Sequence, residues 1–201
     1  MYLWRKLNEK DRNELMRIRR LRSFPMHLPP HFESFNQTTY FLSAATYNHQ
    51  KIIFKNFERI DKFCQQLCKT LTSLDSKLHA WCVLANHWHA LVTCEKFKLL
   101  LKEIGKLHGK ASFYWNKQDN CRGRQCWHGC SDRIIRSKRH FMVARNYIHK
   151  NPVKHGYVKD WIDWPYLSFP EFIKLYSNEI AELEYIQYPI LNMGESWDNF
   201  D

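Results

Sequence analysis

Apolar residues recur at three- and four-residue intervals over residues 56–74, where Phe57, Ile60, Cys64, Leu67, Leu71 and Leu74 would share one face of a helix. Asn56 stands where a side-chain oxygen would cap its first turn. The same period returns over 97–117, with Leu100, Leu101, Ile104, Leu107, Ala111 and Trp115 as the stripe. Between them, 77–93 is dense in Trp, Val, Leu and Ala and reads either as one long strand or as two strands turning at Ala85 and Asn86. Residues 38–47, rich in aromatic and β-branched side chains, read as a strand. At the front of the chain, 8–22 reads as a short helix with Leu15, Ile18 and Leu21 on one side, broken by Pro25, Pro29 and Pro30. After a loop at 119–123 come an extended stretch at 132–136 and a third helix that Ser137 would cap. That helix is expected to run to Lys150 and to stop before Pro152.

The order strand, helix, strand pair, helix, strand, helix suits an α+β fold in which an antiparallel sheet is covered by helices, the ferredoxin-like arrangement. With 201 residues the chain has room for one well-cored domain and appendages. The expected division is a basic N-terminal arm at 1–37, a catalytic domain at 38–172 and an acidic C-terminal tail at 173–201. No run approaches the roughly 18 apolar residues of a membrane span, and residues 1–15 lack the apolar core of a secretory signal, so a cytoplasmic protein is expected. Seven cysteines, an odd number without an export signal, point to reduced thiols.

Charge changes the picture because it is unevenly placed. Residues 1–22 carry eight Lys or Arg against three acids, and 96–159 carry sixteen against three. From 160 onward the sign reverses, with nine acids and Lys174 as the sole base. Clustered positive charge with interleaved aromatics is a footprint of phosphate-backbone binding. The acidic stretch either folds across a basic cleft and competes with nucleic acid or serves as a solubilising appendage.

Within the strand region, His87-Trp88-His89 puts two imidazoles on one face and the indole on the other. Two imidazoles are half of a metal site and need a further ligand, although a hydrogen-bonded histidine pair has the same pattern. Tyr147 and Asn151, four apart, would share a helix face, a phenol beside an amide. A tyrosine that attacks phosphorus conserves the phosphodiester energy in its ester, and a divalent ion offsets the high pKa of the phenol. The alternative for Tyr147 is a half-buried helix residue. Cys121, Cys126, His128 and Cys130 gather zinc-type ligands but lack the paired Cys-x-x-Cys knuckle.

Leu84-Ala85-Asn86-His87-Trp88-His89-Ala90-Leu91-Val92 resembles the Asn-His-x-His strand of the single-tyrosine HUH transposases. Tyr147-Ile148-His149-Lys150-Asn151-Pro152-Val153-Lys154-His155-Gly156 resembles the nucleophile helix of one branch, the REP-associated tyrosine transposases. Pro29-Pro30-His31, Leu107-His108-Gly109-Lys110, Ser131 to Ser137 and Asp163-Trp164-Pro165-Tyr166 with Leu167-Ser168 match that branch in order. The resemblance implies that His87, His89 and Asn151 hold Mg2+ or Mn2+. It implies that Tyr147 forms a 5′-phosphotyrosine on single-stranded DNA folded into palindromic hairpins. Family members commonly carry proline at the position of Ala85, and its absence here bears on the turn that presents His87.

Candidate DNA contacts are Arg17, Arg19, Arg20, Arg22, Lys106, Lys110, Tyr114, Arg136, His149, Lys150 and Lys154, with a structural role the alternative for His149. A self-contained monomer is expected, because the Tyr147 helix follows its sheet without a long linker. Two other readings remain: a domesticated hairpin-binding protein that no longer cuts, and a rolling-circle-type initiator nuclease.

Overall fold

The structure, a computed structural model, describes residues 8–21 and 37–191. The described residues fall into two units, one holding residues 8–21 and the other residues 37–191. In the first, the described part is helix α1, Glu9–Leu21, whose start is capped by the Asn8 side chain accepting from the Asp11 N–H at 2.9 Å.

The second unit is built on four strands, β1 (Thr38–Ala45), β2 (Lys77–Val83), β3 (His87–Cys94) and β4 (Ser131–Ile134). They form one sheet in the order β2-β3-β1-β4, with every neighbouring pair antiparallel. Helices α2 (Phe57–Leu71) and α3 (Phe97–Gln118) come between β1 and β2 and between β3 and β4, giving the βαββαβ order of a ferredoxin-like sandwich. Helix α4 (Lys138–Lys154) follows β4, and α5 (Phe169–Tyr176) and α6 (Asn178–Gln187) close the described region. The α+β expectation holds, and 77–93 is two strands turning at Ala85-Asn86, with the Leu84 N–H donating to the His87 carbonyl at 2.8 Å.

Strand alternation sorts the sheet's two faces. Trp88, Ala90 and Val92 lie opposite Ala44, Leu42 and Tyr40 in the β1–β3 register. This face receives α3, because the Trp88 indole donates to His108 Nε2 at 3.1 Å and Tyr40 stacks on Phe97. His87, His89 and Leu91 lie opposite Ala45, Ser43 and Phe41 on the other face, which α4 covers. Burial holds His108 neutral, its pKa lowered to about 3.

The stripe of α2 differs at both ends from its sequence pattern. Ile60, Cys64, Leu67 and Leu71 are buried, whereas Phe57 is exposed and packs edge-on against Phe54. The helix ends before Leu74 because the Thr72 and Ser73 hydroxyls bond the Cys68 and Thr70 carbonyls, after which Leu74 and Asp75 turn left-handed. Helix α4 departs in the other direction and runs through Pro152 to Lys154. A proline near a helix end forfeits only one N–H, and the closing turn satisfies the last carbonyls of the helix. Tyr157 N–H donates to the Pro152 carbonyl and Gly156 N–H to that of Val153, with Gly156 at φ +69. This is a Schellman closure, and it needs the glycine.

The free edge of β2 is covered by residues 166–168. Val83 N–H donates to the Tyr166 carbonyl, Ser168 N–H to that of Trp81, and the Trp164 indole to that of Val83. Pairing along the edge removes a template for aggregation.

One buried ionic network ties the start of α2 to the end of α3. Arg59 reaches both oxygens of Asp119, at 2.7 and 3.1 Å, and Arg124 and Lys55 add contacts at 2.8 and 3.0 Å. These cations hold the Asp119 carboxyl well below its ordinary range, the Arg59 hydrogen bond contributing most. Asp119→Ala strands the buried Arg59 guanidinium and is expected to cost about 3 kcal/mol. In thermal melts this would appear as a drop of about 10 °C. Because the folded pKa is depressed, the wild-type advantage is complete above about pH 4 and shrinks as the pH falls further. An unchanged melting temperature at pH 7 would refute this account.

Candidate active site

A two-residue turn opens the site. Ile53 N–H donates to the Ala85 carbonyl at 2.9 Å, and the Thr46 N–H and hydroxyl both donate to the Asn86 carbonyl, at 2.8 and 3.0 Å. The Asn86 amide in turn donates to the His49 carbonyl at 3.2 Å. The segment after β1 thus clamps the turn without a proline at Ala85, and His87 follows directly as the first residue of β3.

His87 and His89 project from β3 toward α4, with ring centres 5.0 Å apart. Their cross-strand neighbours Ala45 and Ser43 are small, which leaves room for two imidazoles beneath the helix. On α4, Tyr147 and Asn151 face them one turn apart. The His89 ring lies 5.3 Å from the Tyr147 ring, edge-on, and Phe41 completes the group at 5.3 Å from His89 and 5.9 Å from Tyr147. His87 Nε2 is 3.0 Å from Asn151 Oδ1. All four side chains are buried, none more than 3% exposed.

The donor chemistry of this cluster fits a cation. His87 Nδ1 lies 2.8 Å from Asn86 Oδ1, which can only accept, so Nδ1 carries a proton and Nε2 is turned toward Asn151. Two lone-pair atoms facing each other at 3.0 Å repel unless a cation or proton lies between them. Ligand atoms about 2.1 Å from one magnesium ion, at a right angle, sit about 3 Å apart. The Asn151 Nδ2 has no hydrogen-bond partner among the described residues.

Lys154, exposed and two turns beyond Tyr147, places its ammonium 5.0 Å from the centre of the Tyr147 ring. Among the described residues, Lys154 is the proposed DNA contact that the structure brings to the cluster. Lys106, Lys110 and Tyr114 are exposed on α3, which covers the opposite face of the sheet. Lys106 pairs there with Glu103 at 2.7 Å, and Lys62 sits over Tyr114. Arg136 is exposed just ahead of α4. Arg17 of α1 pairs with Glu14 through two hydrogen bonds. The side chains of Arg19 and Arg20, and Arg22 with Pro29-Pro30-His31, lie outside the described residues.

Two candidate contacts lie elsewhere on α4 with partners of their own. His149 is buried on another side of α4, its Nε2 3.1 Å from the Ser168 hydroxyl, and burial with Arg145 nearby lowers its pKa to about 3. A neutral, enclosed imidazole contributes no charge to a phosphate. Lys150 spends its ammonium on Trp161 and Tyr185, 3.6 and 4.8 Å from the ring centres. The zinc-type residues also disperse. Cys126 donates to Asn116, His128 Nε2 accepts from the Asn48 N–H, and Cys121 lies exposed. Among the described residues no three His, Cys, Asp or Glu side chains gather as a metal site.

Sequence patterning missed two residues. Asn86 orients His87, and His155 brings its ring centre to 4.9 Å from that of His87. His155 lies four residues past Asn151, a spacing that signals a shared face only once the helix is carried through Pro152.

No family model matches the chain. A REP-associated tyrosine transposase of Escherichia coli K12 is 31% identical over 98 residues, covering 46% of this chain and 54% of that protein. A Haemophilus influenzae protein described as a candidate of the same kind is 44% identical over 43 residues, covering 21% of this chain and 24% of its own. Its curated relatives are REP-associated tyrosine transposases. The chain thus spans about half the length of the Escherichia coli transposase it matches. A solved REP-associated tyrosine transposase bound to a REP hairpin shares the fold, with a TM-score of 0.56 at 21% identity over 72% of this chain and 84% of that one.

Proposed function

We propose that this chain is a tyrosine transposase that cleaves and rejoins hairpin-bearing single-stranded DNA with the help of Mg2+ or Mn2+. The observation that carries this reading is the convergence of His87, His89, Asn151 and Tyr147 in one buried cluster drawn from a strand and a helix far apart in sequence. A protein that only bound hairpins would have no chemical need for a phenol beside two imidazoles and an inward-facing amide oxygen. The curated transposase relatives, and a solved neighbour whose partner is a REP hairpin, support the substrate class.

In this reading Tyr147 Oη attacks the scissile phosphorus, a 5′-phosphotyrosine bond forms, and the bond to the 3′ oxygen breaks. The phenolic proton passes to the departing 3′-hydroxyl. Attack by a new 3′-hydroxyl reverses each change and rejoins the strand, so no high-energy cofactor is consumed. A divalent ion held by His87, His89 and Asn151 would polarise the phosphate and neutralise developing charge. Lys154, whose ammonium lies 5.0 Å from the Tyr147 ring centre, stands within reach of an incoming phosphate. All these groups belong to one chain, which supports a self-contained site.

The test is incubation of the protein with an end-labelled hairpin strand and Mg2+ or Mn2+, followed by denaturing electrophoresis. The expected result is a label that migrates covalently with the protein, is lost on chelation and is released by an added 3′-hydroxyl strand. Hairpin binding that falls steeply with salt but yields no covalent species under any divalent ion would overturn the reading.

A further inference from the structure

His89 and Tyr147 are buried between the sheet and α4, so a phosphate needs a way in to reach them. The sheet register supplies one. His89 lies opposite Ser43 of β1, and Ser43 lies opposite Ser131 of the edge strand β4. Two serines make this row low, and it opens outward from buried His89 through half-buried Ser43 to exposed Ser131. The next row on the same face runs Leu91, Phe41, Arg133. Phe41 is the ring that meets both His89 and Tyr147, so Arg133 stands one strand away from a direct neighbour of the nucleophile. Neighbouring strands lie about 4.8 Å apart, less than the length of an arginine side chain. Asp132 takes the other face, in register with Leu42, so the adjoining carboxylate does not share this row.

Burial lowers the pKa of Arg133 from the usual arginine value, which sets its charged end against the protein. The pKa of His140, in the first turn of α4, is lowered by burial and then by the charges of Arg133 and Arg136. The Arg133 guanidinium therefore serves the start of α4, whereas Lys154 stands at its end, with Tyr147 midway between them in the helix.

We propose that Arg133 clamps non-bridging oxygens of the scissile phosphate as it enters along the Ser131–Ser43 row, and holds it for attack by Tyr147. This rests on the reading of Tyr147 as the nucleophile. A guanidinium presents two parallel N–H donors that match two phosphate oxygens, whereas a lysine offers a point charge. Charge that builds on those oxygens as the phenol oxygen approaches meets a cation already in place. The bonds formed and broken are those of the cleavage step, and Arg133 keeps its protons throughout.

Adduct formation is compared for the full chain, Arg133→Ala and Arg133→Lys on three end-labelled hairpin strands. One carries an ordinary scissile phosphate, and each of the others has sulfur in place of one of its two non-bridging oxygens. On the ordinary strand, cleavage is expected to fall at least about a hundredfold in Arg133→Ala and less in Arg133→Lys. Sulfur is a poor hydrogen-bond acceptor, so the wild type should cut at least one of the sulfur strands more slowly. In Arg133→Ala that slowing should shrink at least about fivefold, because the donor that sensed the oxygen is gone. A residue that only supported the sheet would leave the sulfur effects of both strands as they are in the wild type. That result would overturn the role of Arg133 and leave the Tyr147 reading standing. Loss of cooperative melting in both variants would show a structural arginine and overturn the role as well. No adduct with the wild type on the ordinary strand would overturn both readings.

Discussion

Tyr147→Phe is expected to remove the covalent DNA adduct entirely while leaving hairpin affinity within about twofold. The substitution deletes one hydroxyl and keeps the ring, so the contacts with His89, Phe41 and Lys154 persist. Losing one hydroxyl from a buried residue costs about 1 kcal/mol, too little to unfold a domain of this size. Losing the nucleophile removes the reaction path, and strand cleavage should fall at least roughly a thousandfold. The contrast between unaltered binding and absent chemistry separates a nucleophile from a packing residue. An adduct that persists in Tyr147→Phe would show that another residue attacks. A variant that neither binds nor melts cooperatively would mean that the hydroxyl is structural.

Period and alternation carried most of this site into the sequence. His87 and His89 are separated by two, and Tyr147 and Asn151 by four, so each pair's shared face follows from its element. Meeting of the two pairs does not follow from spacing. It depends on β3 lying inside the sheet and on α4 crossing the face opposite α3, which is set by the Trp88–His108 contact and the covering of β2 by residues 166–168. His155 was hidden for a narrower reason. A proline ends most helices because it lacks an N–H, yet in α4 the last carbonyls are answered from beyond it, by Gly156 and Tyr157. Lys150 and His149 read as basic and available, but the aromatic rings that enclose them come from segments distant in sequence.

The acidic C-terminal stretch was the least legible, and its structure leads to the second large effect. Net charge alone suggested either a tail folding over a basic cleft or a solubilising appendage. Residues 178–187 instead form α6, and this helix packs on α4, the nucleophile's own helix. Arg145 of α4 forms an ion pair with Glu184, its Nε donating to Oε1 at 3.1 Å, and the Arg145 guanidinium stacks 4.6 Å over Phe172. The Asn146 amide donates to the Tyr188 carbonyl at 2.9 Å, and Lys150 lies over Tyr185.

Ending the chain after Phe172 would strip Arg145 of Glu184, Asn146 of the Tyr188 carbonyl and Lys150 of Tyr185 at once. Arg145 is only 14% exposed, so it would lose its counter-charge in a largely enclosed position. Breaking such a pair costs about 3–5 kcal/mol. The truncated chain should therefore melt at least about 10 °C lower. Glu184→Ala should give a smaller drop in the same direction, because it removes the ion pair and leaves α6 in place. In both, hairpin affinity at low salt and low temperature should stay near that of the wild type, and adduct formation should fail first on warming as α4 loses its support. A tail that competed with DNA predicts the reverse pattern: an unaltered melting temperature and tighter binding that weakens less steeply with salt. Observing that pattern would show that the acidic helix screens the site. A melting curve and a filter-binding isotherm on the same two proteins decide between them.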